Sequence, residues 1–140
     1  MNGVDPGRRN RLFGWILLLV GILGGLVLGT FVFAGPLRAP ERFADYSSLP
    51  RRLIRFAHIA ALALGILNIL YGMELSRGTV AGRARTVGSK LMIVGGTLMP
   101  LVLTAAAFDI RWKWLLPVPA LSVFTAILLL VANLRKGSVS

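Results

Sequence analysis

The single histidine of this chain, His58, is the side chain with the most versatile chemistry. An imidazole nitrogen can bind haem iron or donate a hydrogen bond to a quinone carbonyl. Arg51, Arg52 and Arg55 precede it within about two helical turns, and guanidinium groups pair well with carboxylates such as haem propionates. Gly65 follows seven residues later on nearly the same helical face, where it leaves room for a flat ring. This stretch is therefore a candidate cofactor site.

One histidine supplies only one axial ligand to haem iron. Met92 or Met99 serves as the second only if it lies at the depth of His58; otherwise a second chain must provide it. The interpretation that we prefer is a neutral imidazole hydrogen-bonded to a neighbouring helix. The candidate hydroxyl partners are Thr97, Thr104, Ser122 and Thr125. We accordingly expect no cofactor, with haem b or a quinone as the alternatives.

A second polar feature, Asn68 with Tyr71, follows on the same predicted helix. The two residues are one turn apart, so they form one patch. Asn68 lies about 15 Å beyond His58 along a helix that rises 1.5 Å per residue, which separates the patch from the histidine. We interpret these side chains as interhelical hydrogen-bonding groups, each contributing about 0.6 kcal/mol.

The elements that carry these residues are membrane helices. The chain of 140 residues is 56% hydrophobic and 15% charged, with a mean hydropathy of +0.76. A soluble domain has roughly 25% charged residues, whereas a bilayer accepts such apolar surface directly. The chain has no cysteine, which excludes disulfides and thiol catalysis.

Apolar runs of about 20 residues span the hydrocarbon layer as helices, and the sequence has four of them. They predict an all-α integral membrane protein whose four helices form an up-down antiparallel bundle. We expect one domain over 12–136, preceded by a basic segment, 1–11, and followed by a polar tail, 137–140. The predicted spans are 12–34, 53–75, 89–108 and 115–134.

Small residues recur on two of the predicted spans at spacings that favour close helix packing. In the first span the glycines recur every four residues. In the second they accompany alanines on one face. The predicted packing glycines are Gly21, Gly25, Gly29, Gly65 and Gly72. They predict association, either within the chain or with another subunit.

The net charge of +11 comes from residues between the apolar runs, where Lys and Arg set topology and contact anionic lipids. No basic stretch stands clear of these runs, so we expect no nucleic-acid binding. One side collects Arg8, Arg9, Arg11, Arg77, Arg83, Arg85, Lys90, Arg135 and Lys136. The other collects Arg38, Arg42, Arg51, Arg52, Arg55, Arg111 and Lys113. This small bias predicts a bacterial inner-membrane protein with cytoplasmic termini.

The middle of each predicted span lacks the carboxylate that proton-coupled transport usually needs, and no hydrolase, nucleotide-binding or metal motif occurs. We therefore expect no enzymatic activity. The function we predict is that of a non-catalytic accessory or assembly subunit of a membrane complex, such as a respiratory one, with other subunits or a second copy as partners. The alternatives are a haem- or quinone-binding electron-transfer protein using His58, and a small dimeric channel or transporter.

Overall fold

The computed structural model describes residues 5–31 and 35–137, and these residues form helices and no strand. The elements are α1 (Pro6–Gly29), α2 (Glu41–Ala44), α3 (Leu49–Ser76), α4 (Gly82–Phe108), a 3-10 helix (Ile110–Leu115) and α5 (Pro117–Gly137). Four helical segments are long and apolar enough to cross a membrane: α1, α3, α4 and Ile110–Arg135. Residues 32–34 of the first predicted span, 1–4 of the basic segment and 138–140 of the tail lie outside the described residues.

The first and third long helices begin earlier than the apolar runs that predicted them. Helix α1 starts at Pro6 because the carboxylate of Asp5 accepts a hydrogen bond from the backbone N–H of Arg8, at 3.1 Å, and caps the first turn. Pro6 supplies the fixed φ suited to that turn. Helix α4 starts at Gly82, where arginine and alanine are good helix formers. These helices therefore extend beyond the apolar runs that predicted them.

Helices α1 and α3 pack closely through glycines, and their contacts run in opposite residue order. A Cβ atom built on Gly7 would lie 2.7 Å from the carbonyl oxygen of Gly72. One built on Gly14 would lie 2.6 Å from the carbonyl oxygen of Gly65. Both distances are too short for a real side chain, so backbones approach here only because side chains are missing.

Further along this pair, the contacts change from backbone against backbone to glycine against side chain. Gly21 faces Leu62, and Gly25 faces the His58 ring. The position seven residues before Gly65 on α3 is thus filled by an imidazole instead of a third glycine. Because Gly25 has no side chain, the ring of His58 can lie directly over it.

The remaining helices follow α3 in a row. Helix α3 packs against α1 and α4, α4 packs against α5, and α1 makes a smaller contact with α4. Tyr71, Leu75, Met92 and Ala126 form a buried cluster that joins α3, α4 and α5. Because α1 packs mainly on α3, one side of the α1–α4 boundary stays open, and this opening contains the candidate site.

Candidate functional site

The opening between α1, α3 and α4 is a cavity of about 540 Å³, here called the His58 crevice. Its volume lies in the range of small-molecule sites, about 300–1,000 Å³. Its walls are almost wholly apolar. Residues that define it are Gly21 and Gly24 on α1, Ala57 and His58 on α3, and Thr97 and Thr104 on α4.

His58 has no hydrogen bond to any residue that the structure describes. Its Nδ1 atom is buried and unpartnered. Its Nε2 atom also has no hydrogen bond, but it is not among the fully buried atoms. A Cβ atom on Gly25 would lie 2.7 Å from Cε1 of the ring, so Gly25 admits and positions the imidazole.

This geometry differs from the preferred sequence interpretation, in which a hydroxyl on a neighbouring helix satisfies His58. Three of the expected hydroxyls bond instead within their own helices. Thr97 donates to the Ile93 carbonyl at 2.9 Å. Thr104 and Ser122 likewise donate to carbonyls four residues earlier, at 2.8 and 2.9 Å. Ser/Thr hydroxyls commonly bond back to the preceding turn, and that local contact outcompetes a distant ring.

Two of the three arginines before His58 contact the connection between α1 and α3. Arg51 donates to the carbonyls of Phe43 and Ala44, at 3.1 and 3.0 Å. Arg51 and Arg55 place their guanidinium carbons 5.0 and 4.2 Å from the ring centroid of Tyr46. Arg52 is exposed on the same helix. These contacts occupy Arg51 and Arg55 outside the crevice, where they tie the connection to α3.

The residues around His58 do not fit a haem ligated within one chain. Met92 is fully buried against Tyr71 and Leu75, and its carbonyl accepts a hydrogen bond from Asn68. Met99 packs in the core near Ala60. The crevice lining includes neither methionine. Among the described residues, the crevice therefore has the imidazole of His58 as a nitrogen ligand and neither Met92 nor Met99 as a second axial ligand.

A second apolar cavity, of about 310 Å³, adjoins the crevice at the end nearer the α1–α3 connection. The two cavities share Val27, Leu28 and Ile54 as lining residues. The second cavity extends to Phe43 and Phe108, whose rings meet edge to face at 5.7 Å. Together the cavities form an apolar trough with His58 on its wall.

The second predicted polar feature lies apart from the crevice, in a buried network that joins three helices. The side-chain amide of Asn10 on α1 donates to Asn68 Oδ1 at 3.0 Å. Ser89 on α4 donates to the side-chain oxygen of Asn10. The amide of Asn68 donates to the carbonyls of Leu64 and Met92, at 2.9 and 3.3 Å. Asn10, Asn68 and Ser89 are at most 1% exposed.

Tyr71 extends this polar set to the last helix. Its hydroxyl donates to the carbonyl of Ala126 on α5 at 3.3 Å. A Cβ atom on Gly88 would lie 2.0 Å from the same hydroxyl, so Gly88 provides the space for the phenol. The Asn68–Tyr71 patch thus serves interhelical hydrogen bonding in this structure.

Replacing Asn68 by leucine is expected to destabilise the bundle by about 2 kcal/mol. The substitution deprives the buried Asn10 amide of its closer acceptor, leaving it the Ser89 carbonyl at 3.5 Å, and deprives the Met92 carbonyl of a donor. Membrane hydrogen bonds contribute about 0.6 kcal/mol each on average, with a further cost for a donor left poorly paired. Unfolding of purified protein in mixed micelles titrated with a denaturing detergent measures the change.

The matched control is Asn133→Leu. The Asn133 amide donates to the Leu129 carbonyl of its own helix, at 2.7 Å, and joins no second helix. The control variant should unfold within about 0.5 kcal/mol of the unaltered chain. Equal loss in both variants would show that the three-helix network has no special stabilising role.

Charged residues at the end that holds the start of α1 form another contact between helices. Asp5 pairs with Arg85 on α4 and accepts from Ser76 at the end of α3, at 3.4 Å. The pKa of Asp5 is lowered, because its desolvation, which raises it, is outweighed by hydrogen bonds from Arg8 and Gly7 and by the charge of Arg85. The ionised Asp5 carboxylate therefore stabilises the folded protein at pH values above the ordinary carboxyl pKa. This stabilisation is lost as the pH falls through the lowered pKa of Asp5 in the folded protein.

Several residues that position these features were not predicted. Asn10 lies in a segment predicted to be polar and outside the spans, and Ser89 lies at the predicted edge of a span. Gly7 and Gly14 precede Gly21 at seven-residue intervals, and Gly72 follows Gly65 at the same interval. That shared period is a sequence signal for close pairing of these two helices. In contrast, a Cβ atom built on Gly29 has no atom of the described residues within 4 Å.

Comparisons of this chain with protein-family models, with curated proteins and with solved structures find no match.

Proposed function

We propose that this chain is a non-catalytic subunit of a membrane complex that holds one apolar ligand from the bilayer in the His58 crevice. The observation that carries the proposal is the His58 ring, which lines a cavity of about 540 Å³ and has no hydrogen bond to any described residue. Buried polar groups are normally paired. A ligand with a hydrogen-bond acceptor would supply a partner for Nε2, the ring nitrogen that is not among the fully buried atoms.

The membrane setting of the proposal is a multi-pass protein with an up-down antiparallel bundle and cytoplasmic termini in a bacterial inner membrane. Four long apolar helices support multi-pass insertion. The opposite order of the α1–α3 contacts supports the antiparallel arrangement of that pair. The small excess of Lys and Arg on the side of the termini supports the orientation, since such residues are retained in the cytoplasm.

The accessory role rests on two features of the described residues. The connections between spans are short, and α2, the longest element in the α1–α3 connection, has four residues, so the loops add no domain of their own. Helix α1 packs mainly on α3 and presents large apolar side chains, such as Leu19, Leu23 and Leu26, outward. The apolar composition of this surface is suited equally to contact with lipid and to contact with a helix of another subunit.

The experiment is purification of the chain from its native membrane in mild detergent, followed by solvent extraction and mass spectrometry of the same sample. We expect partner subunits to co-purify and about one equivalent of an apolar small molecule per chain, as one crevice holds one ligand. Gly24→Leu should abolish ligand retention, because a Cβ at Gly24 meets only the His58 ring, at 3.9 Å, and the longer side chain enters the crevice.

The matched control is Gly29→Leu, the same substitution five residues later on α1. A Cβ at Gly29 meets nothing within 4 Å, and Gly29 does not line the crevice. This variant should retain the ligand. A chain that purifies without partners contradicts the accessory role, and an unaltered chain that carries no apolar molecule contradicts the ligand role.

A further inference from the structure

The polar groups of the His58 crevice restrict the chemistry of its occupant. The crevice lining contains no Lys, Arg, Asp or Glu. The charged residue that lines the second cavity, Arg51, donates to the carbonyls of Phe43 and Ala44. An anionic phosphate or carboxylate head beside His58 would therefore have no cation to pair with there. The hydroxyls of Thr97 and Thr104 already donate to carbonyls of α4. His58 is the remaining polar side chain of the lining, and the bound portion of a ligand should be uncharged.

The different burial of the two His58 nitrogens indicates which of them donates a hydrogen bond to the ligand. A proton on Nδ1 would place an unpartnered N–H in a buried position, and buried orphan donors are rarer than orphan acceptors. The tautomer assigned on this basis carries its proton on Nε2, the nitrogen that is not closed off. The ligand must then offer an acceptor, and a carbonyl oxygen suits this role.

The shape of the surrounding space indicates a flat head with a chain. Small residues line the crevice on two helices, with Gly21 and Gly24 on α1 and Ala57 and Ala61 on α3. These residues leave space for a planar group beside His58. From there the apolar trough continues through the second cavity, of about 310 Å³, towards the α1–α3 connection. A chain of hydrocarbon units fits this path.

From these observations we propose that the crevice binds an isoprenoid quinone, with one ring carbonyl accepting from Nε2 of His58 and the isoprenoid chain in the apolar trough. The proposal rests on the ligand role given above and names its substrate class. It involves no electron transfer. Gly25 is a positioning residue, because the missing side chain there lets the imidazole lie where a ring carbonyl can reach it.

The test is a titration of the full chain in nanodiscs with two probes that share a ten-carbon alkyl tail. One probe has a benzoquinone head and the other a benzene head without carbonyls. We expect the unaltered chain to bind the quinone about tenfold more tightly, the effect of one uncharged hydrogen bond of about 1.4 kcal/mol. This comparison requires no variant to fold.

Variants then assign the effect to the ring. His58→Leu keeps the volume near that of imidazole, removes the unpartnered nitrogen, and should reduce the preference for quinone to about unity. Gly25→Ala should reduce it several-fold by displacing the ring, and Gly29→Ala should leave it unchanged because its Cβ meets nothing within 4 Å.

The outcomes separate the two proposals. Equal, saturable binding of both probes by the unaltered chain overturns the quinone assignment but keeps an apolar-ligand site. Displacement of both probes by a saturated phospholipid, without discrimination between them, identifies an acyl-chain site and likewise overturns the quinone assignment. Absence of saturable binding by either probe overturns both proposals. A preference for quinone that persists in His58→Leu removes His58 from the site.

Discussion

Gly14→Val is expected to separate α1 from α3 and to destabilise the protein by about 3 kcal/mol, the upper part of the range for overpacking. A Cβ at this position would lie 2.6 Å from the Gly65 carbonyl oxygen and 2.9 Å from the Ile69 backbone nitrogen. Both obstacles are backbone atoms, so no side-chain rotation relieves the clash. The helices must move apart, and the packing on both sides of the contact weakens.

The measurement is detergent-titrated unfolding of the purified protein, with Gly29→Val as the control. Gly29 is on the same helix and a Cβ there meets nothing within 4 Å, so the control should stay within about 0.5 kcal/mol of the unaltered chain. Similar stability of the two variants would contradict the close α1–α3 approach. We also expect Gly14→Val to lose its bound ligand, because the crevice is walled by the same helix pair.

Gly88→Ala is the second substitution with a large expected effect, a loss of about 2 kcal/mol. A Cβ on Gly88 would lie 2.0 Å from the Tyr71 hydroxyl oxygen. Tyr71 is 3% exposed and its hydroxyl donates to Ala126 on α5. The phenol therefore has little room to withdraw, and the new methyl group disturbs the α3–α4 and α3–α5 contacts together.

A double-mutant cycle with Tyr71→Phe isolates this contact. Tyr71→Phe alone should cost about 1 kcal/mol for the lost hydrogen bond. In the Gly88→Ala/Tyr71→Phe protein the nearest ring atom lies 3.2 Å from the new Cβ, a tight but tolerable approach. The double variant should therefore lose only about 1 kcal/mol instead of the additive loss of about 3 kcal/mol, which is a coupling energy of about 2 kcal/mol. Additive losses would show that the hydroxyl and residue 88 do not meet.

The long helices were predictable because hydrocarbon thickness fixes their length and composition. The ends of the helices were less so. Asp5 caps α1 and Pro6 lies in its first turn, so the helix begins before its apolar run. The sequence shows this pair, but predicting the helix start from it requires assigning the arginines that follow to the helix. The predicted packing of Gly65 and Gly72 rests on spacing, and both lie against glycines of α1.

The polar contacts were less predictable because they depend on which helix faces which. Asn68 was identifiable as an amide within an apolar run, but its partner Asn10 lies 58 residues away along the chain. Ser89, which donates to Asn10, lies 79 residues from Asn10. The local bonds of Thr97 and Thr104 likewise decide that His58 has no hydroxyl partner. Only the three-dimensional arrangement of α1, α3 and α4 reveals the opening beside His58.

Within the described residues, the His58 crevice is lined by α1, α3 and α4 and by no residue of α5, which has a consequence for biosynthesis. The amide network likewise uses no residue beyond Met92, so a growing chain has all its members before α5 is translated. We therefore expect the first three spans to be able to assemble as a unit that already contains the crevice. Helix α5 would then pack beside α4, where the Tyr71 hydroxyl donates to the Ala126 carbonyl and fixes the register of the last span.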